Sequence, residues 1–258
     1  MPNRWSSDFS YAGYEYKLTN ESVIPLLKYW NLSLRNKKLL DIGCGLGGTT
    51  VSFAEHGCNC VGIDINERSI KFAAEFAKKR NVTINFFKED ICNPKILKEN
   101  EFDIAILMDV IEHVYDPKRA LANIFRLLNE KGLAYVSFPP YYSPFGGHQH
   151  DPSSITRLMP YVHLLPKNVY FEMLPKQESY RKLVETVTAN KISIFKFEKL
   201  VDSSNFKILR KELYLMRPSY RARYGVPAVK IGIISRIPFV REFMTSGGSY
   251  LLMKNDAK

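Results

Sequence analysis

Residues 39–48, Leu39-Leu40-Asp41-Ile42-Gly43-Cys44-Gly45-Leu46-Gly47-Gly48, decide the fold. The apolar run from Leu39 to Ile42 has the length and composition of a strand buried on both faces. It stops at a turn holding four glycines, where backbone can approach a ligand that a side chain would push away. Helix-forming residues follow from about Thr49 to His56. Strand, glycine turn and helix start together make the crevice of an open α/β sheet that binds a nucleotide-like cofactor.

The glycine spacing alone fits two kinds of cofactor. Gly43, Gly45 and Gly48 satisfy a dinucleotide fingerprint, with Asp64 placed downstream as the ribose ligand. Asp41 separates the two. A carboxylate two residues before the first glycine suits a ligand with a free ammonium group and repels a pyrophosphate in a partly dry site. S-adenosylmethionine carries that ammonium and no phosphate, so the acidic loop favours it over NAD.

The chain from about Leu39 to Pro139 resembles the class I S-adenosylmethionine-dependent methyltransferases through five segments in the family's order. The first is Leu40 to Gly47, the second Asn59 to Ile65 with Asp64, and the third Ile84 to Ile91 with Asp90. The fourth, Phe102 to Asp109, leads into Val110-Ile111-Glu112-His113-Val114, and the fifth is Gly132 to Pro139. The resemblance implies an α/β, Rossmann-like, seven-stranded mixed sheet in one domain over residues 1–258. It implies that Asp64 accepts from the ribose hydroxyls and Asp90 from the adenine amino group. Asp41, Gly43, Gly45, Gly47, Ile65, Ile91, Met108 and Asp109 complete the expected cofactor site. Read without the family, Asp64 and Asp90 are also plausible helix caps.

Composition agrees with such a domain. A chain of 258 residues can bury a substantial core and still carry an inserted cap. Cys44, Cys58, Cys60 and Cys92 lie in or beside expected strands without a paired Cys-x-x-Cys spacing, and read as reduced core residues. The N-terminus lacks the pattern of a signal peptide, and no apolar run reaches the roughly 20 residues that span a bilayer. A cytoplasmic protein, or one lying peripherally at the inner membrane surface, is expected.

Residues 1–19 are polar and aromatic, and Asn20 is expected to cap a helix from Glu21 to Trp30. Tyr14 could reach the cofactor or acceptor. Asn66 is expected to cap a helix to about Arg80, and Asp116-Pro117 to start one that Gly132 ends. An insertion over residues 140–192 leaves the fifth strand and reads as a substrate cap or lid. Its opening, Pro139 to Asp151, is too rich in proline and glycine for a helix and carries Tyr141, Tyr142, His148 and His150.

The sulfonium is already electrophilic, so the protein must align a nucleophile and, for a hydroxyl, remove its proton. Histidine suits that role near neutral pH. His148 leads, with His150 and His163 as alternatives and Asp151 as an orienting carboxylate. His113 is expected to line the substrate pocket. If a helix begins at Asp109, then Asp109, Glu112 and His113 share one face. That segment is similar to the Glu-His segment of ubiquinone-type O-methyltransferases, some of which hold a divalent ion there. The expectation is nonetheless no metal, because the same segment occurs across class I methyltransferases that need none.

Residues 206–258 hold eleven Lys or Arg against three Asp or Glu, within a chain of formal charge +11. Over residues 217–248 these cations alternate with isoleucine and aromatic residues, as in a second cap or a face turned to an anionic membrane. RNA is the rival partner, but neither an appended RNA-binding domain nor an Asn-Pro-Pro-Tyr segment is present. The expected activity is O-methylation of a small-molecule, glycan or lipid-linked acceptor, with an anionic acceptor suited to the basic segment. C- or N-methylation of a quinone-like, lipid or cofactor ring is the alternative, and a regulatory protein that binds S-adenosylmethionine without turnover is the reading of another class.

Overall fold

The computed structural model describes residues 8–149 and 154–255. One helical run opens it: α1 (Asp8–Leu18), a π turn (Thr19–Val23) and α2 (Ile24–Tyr29) follow without interruption. Asn20 therefore does not start a helix; its side-chain amide donates to the Tyr16 carbonyl one turn back. The cause lies in Pro25, which brings no N–H to close an α turn, so the backbone widens just before it. The residues that continue the run, Leu18, Val23, Ile24 and Leu27, are buried and hold it together.

The sheet is built as β1 (Lys38–Ile42), α3 (Gly48–Glu55), β2 (Asn59–Asp64), α4 (Glu67–Lys79), β3 (Asn85–Lys88), β4 (Phe102–Met108), α5 (Pro117–Leu127) and β5 (Leu128–Phe138). The expected caps hold here. Asn66 accepts from the N–H groups of Arg68 and Ser69, and Asp116 accepts from that of Arg119. Gly132 does not end α5. The helix stops at Leu127, and Gly132 lies in an irregularity where β5 pairs Leu128 with Phe102 and then Leu133 with Ile104.

Beyond β5 come α6 (Lys167–Glu172), α7 (Glu178–Asn190), α8 (Ile194–Asp202), β6 (Phe206–Met216), α9 (Pro218–Tyr224), β7 (Val229–Lys230), α10 (Pro238–Met244) and β8 (Gly247–Lys254). The strand order is β3-β2-β1-β4-β5-β8-β6-β7, with β8 antiparallel to both its neighbours. Eight strands stand where seven were expected. The extra one is the two-residue β7, an edge ribbon added by the long connection between β6 and β8.

Alternation along the strands fills both faces. Leu40, Ala105, Leu107 and Val136 pack under α5 and α8, with Ile124, Phe197 and Val201. Their neighbours Leu39, Ile104, Ile106 and Tyr135 pack on the other face against Ile24, Leu27 and Phe53. The order reverses at β1, which lies between β2 and β4. A crevice therefore opens at the carboxyl ends of β1 and β4, where such sheets bind ligands. All four cysteines are free and buried. Among the described residues, no helix is long and apolar enough to cross a membrane.

Candidate functional site

At the end of β1 the chain turns through Gly43, whose φ of +68° favours glycine and whose missing Cβ would lie 2.5 Å from Val110. The other glycines serve the protein as much as a ligand. Gly45 donates its N–H to Asp64 Oδ2 at 3.0 Å. Gly47 lies against Ala73 of α4, and a Cβ on Gly48 would stand 2.1 Å from the Ala12 carbonyl of α1. Close helix packing, rather than ligand approach, fixes these last two positions.

Two hollows meet at Gly43 and Asp109. The larger, about 310 Å³, is lined by Asp64, Ile65, Asp90, Ile91, Val110 and His113 among others. Asp64 is held by two N–H groups, from Gly45 and from Asn66 at 2.8 Å, and each carboxylate oxygen can accept a further hydrogen bond. Asp90 accepts from the Cys92 N–H at 2.8 Å, closing a turn instead of capping a helix. Ile65 is 72% exposed at the end of β2, an apolar surface left open beside polar groups.

The smaller hollow, about 50 Å³, is lined by Tyr11, Tyr14, Glu15, Asp41, Met108, Asp109 and Arg223 with their neighbours. Asp41 is buried and accepts from the Thr50 hydroxyl at 2.6 Å. Burial pushes its carboxyl up to about 7, and the charge of Asp64 adds to this while Thr50 opposes it. Glu15 is also held well above the usual carboxylate range, by burial and then by Asp41, and its Oε2 has no hydrogen-bond partner. An immobilised carboxylate for a ribose, an apolar edge for a ring, and buried acid groups awaiting a cation together fit S-adenosylmethionine.

Asp109, Glu112 and His113 do not share a helical face. Asp109 has φ +55°, and its carboxylate turns to the buried guanidinium of Arg217. Only a short 3₁₀ turn, Ile111–His113, follows. His148 takes the third place instead. Its Nε2 lies 3.7 Å from Glu112 Oε1, His113 Nε2 lies 3.9 Å from the same atom, and the two rings meet edge to face at 4.6 Å. Neither Glu112 oxygen has a hydrogen-bond partner. Burial and then the Asp109 charge hold its carboxyl well above the usual range, while burial lowers the His113 imidazole. Among the described residues, these three form the group with donors close enough for a metal ion, all within 4.8 Å.

The inserted helices brace this cluster. Tyr170 and Tyr180 donate to the carbonyls of Gly147 and His148, and Asn190 donates to those of Glu112 and Val114. His148 itself has φ +58°, a strained setting for a residue with a side chain. His163 is not brought to the cleft. It is buried, with Nε2 2.7 Å from the Tyr141 carbonyl and its ring lowered by burial to about 4. Tyr141 is buried against it, and Tyr142 packs on Phe243 of α10. His150 and Asp151 lie outside the described residues.

The places of Glu15, Arg217 and Arg223 at the cleft escaped the sequence reading. For Glu15 a signal existed: Tyr11, Tyr14, Glu15 and Leu18 stand at helical spacing and all line the small hollow. The two arginines had none, because only the tertiary fold brings α9 to α1.

A profile of the methyltransferase domain family matches residues 40–136. A ubiquinone biosynthesis O-methyltransferase of Coxiella burnetii is 35% identical over 115 residues, 43% of this chain and 48% of that one. The protein of that name in Rickettsia akari is 30% identical over 45% of each. The chain thus matches about half the length of these curated relatives. Over the whole fold it is similar to a methyltransferase of Methanosarcina mazei, with a TM-score of 0.57 and 18% identity over 90% of this chain and 97% of that one. The magnesium protoporphyrin IX methyltransferase of Synechocystis, solved with bound S-adenosylhomocysteine, gives a TM-score of 0.56 and 15% identity over 94% of this chain and 84% of that one.

Proposed function

We propose, from the premise that this chain is a class I S-adenosylmethionine-dependent methyltransferase, that it methylates an oxygen of a small-molecule, glycan or lipid-linked acceptor. The single observation that carries oxygen as the target is the Glu112–His113–His148 cluster beside the cofactor cleft. When bound, the cofactor supplies a methyl group on an electrophilic sulfonium. Asp64 and Asp90 hold the nucleoside, Asp41 faces the amino-acid end, and Ile65 shields the ring. A neutral imidazole of His113 or His148 takes the hydroxyl proton, with the buried Glu112 carboxyl beside both rings. The segments 140–192 and 217–248 act as caps: α7 ties the first to the cluster, and Arg217 and Arg223 tie the second to the cofactor end.

The test is transfer of a labelled methyl group to a panel of catechols, phenols and lipid-linked sugars. His148→Ala is expected to lower kcat by about 10² or more with little change in cofactor affinity. Burial already holds the Glu112 carboxyl well above the usual range, so Glu112→Gln is expected to leave the acid limb of kcat/KM in place, which its pH profile checks. A His148→Ala enzyme with full turnover would pass the role to His113, and full turnover in His113→Ala as well would remove the base. No transfer to any acceptor or extract, with the cofactor bound, would favour the regulatory reading.

The same cluster supports a second reading, in which one carboxylate and two imidazoles take a divalent cation. A chelator separates the two. The imidazole base works unchanged in its presence, whereas a cation-dependent enzyme loses activity and regains it on adding the metal.

A further inference from the structure

The small hollow at the end of β1 carries more charge than the glycine loop explains. Its floor is Asp41, whose carboxylate already accepts from Thr50. Its roof is α1, which presents Tyr11, Tyr14, Glu15 and Leu18 on one face. From the side comes Arg223 of α9, whose Nε donates to the Tyr14 hydroxyl at 3.0 Å and whose guanidinium lies 5.0 Å from that ring. Acid and base thus enter one cavity from elements far apart in sequence, and neither completes the other: Glu15 Oε2 is buried without a hydrogen-bond partner. A buried carboxyl with an unpartnered oxygen and a guanidinium, walled by aromatic rings, describe a receptor for a zwitterion.

We propose that Glu15 binds the ammonium and Arg223 the carboxylate of the cofactor's free amino-acid end. This rests on the reading of the cofactor given above and adds two ligands from outside the glycine loop. Asp41 alone leaves the carboxylate unmatched, and the other charges facing the hollow do not serve it. Asp64 is turned to Gly45 and Asn66, and Asp109 and Arg217 neutralise each other. An arginine fork suits a carboxylate in two-point contact. The helical run at the start of the chain and the long β6–β8 connection thereby become parts of one clasp, joined where Arg223 meets Tyr14.

Calorimetry with two ligands tests this. S-adenosylhomocysteine has the amino-acid end; 5′-methylthioadenosine keeps the nucleoside and sulfur but lacks it. Glu15→Gln and Arg223→Gln are each expected to weaken the first by about tenfold or more, the loss of one charge-assisted contact, and to leave the second unchanged. Unchanged affinity for both ligands in either variant overturns the role of that residue. Equal loss for both overturns it too, because the residue then supports the fold. A wild-type protein that binds neither ligand removes the cofactor reading and this proposal together, an outcome distinct from the other two.

Discussion

Asp41 is the residue at which burial, charge and ligand chemistry meet. The free protein holds its carboxyl at about 7, against an ordinary value of 3.8, because burial disfavours the anion and Asp64 repels it. Glu15, facing the same hollow, is also raised. A carboxyl whose folded pKa is raised contributes stability that is full below its unfolded value and is lost as pH rises through the folded one. The unliganded protein should therefore lose stability between about pH 4 and 7 from this group. Binding of an ammonium needs the anion, so affinity for S-adenosylhomocysteine should rise from pH 6 to 8, by up to about tenfold per unit for each proton released. Thr50→Val removes the hydroxyl that favours the anion and should move this rise to higher pH. Calorimetry at three pH values checks it, and a flat affinity over that range would show that Asp41 does not meet the ammonium.

At the scale of elements, α1 is set by two glycines with opposite sensitivities. A Cβ on Gly48 would stand 2.1 Å from the Ala12 carbonyl and 2.8 Å from Glu15 Cβ, so α1 must shift to admit it. Gly48→Ala should cost about 1–3 kcal/mol and should weaken S-adenosylhomocysteine more than 5′-methylthioadenosine, since α1 carries Glu15. Gly13 sits in the same helix with nothing within 4 Å of its missing Cβ. Gly13→Ala should raise stability by about 0.4–1 kcal/mol. Thermal unfolding of both variants decides; a neutral Gly48→Ala would mean that α1 is not seated on α3. This element also marks where the sequence stopped being legible. Asn66 and Asp116 announced their helices because a cap is a contact between near neighbours. Asp41, Gly43, Asp64 and Asp90 were legible for a similar reason, each standing at the end of a short apolar strand. Asn20 misled because a buried helical run passed through a residue that looks like a start. Arg223 meets Tyr14 across 209 positions, and Asp109 meets Arg217 across 108, so no local pattern could announce either.

For the molecule as a whole, the question is what its basic surface faces. The sequence suggested that the cations over residues 217–248 form a cap or a face turned to an anionic membrane, but Arg217 and Arg223 turn inward and Arg241 pairs with Glu198. What remains exposed at this end includes Arg221 and Arg236, beside Ile237 and Phe239, of which Phe239 is 74% exposed. The inserted segment adds Ile155 and Leu158, each 68% exposed, with Leu164 and Leu165. The two segments join through the Tyr161 hydroxyl, which donates to the Phe243 carbonyl at 3.1 Å. Apolar side chains open to water beside cations match the boundary of an anionic bilayer, where each Lys or Arg contributes about 1 kcal/mol near the surface. A lipid-linked acceptor would then reach the cleft from the membrane side. Binding to vesicles containing phosphatidylglycerol should exceed binding to neutral vesicles. It should weaken between 0.1 and 1 M salt as the Debye length falls from about 10 to 3 Å. Ile237→Ser with Phe239→Ser should abolish it at either salt, and Arg221→Gln with Arg236→Gln should remove mainly its salt-sensitive part. Neither pair touches the cofactor hollow, so affinity for S-adenosylhomocysteine should stay constant in all four substitutions. A wild-type protein that ignores anionic vesicles at low salt would point to an acceptor delivered from solution, and the apolar rim would then need another occupant.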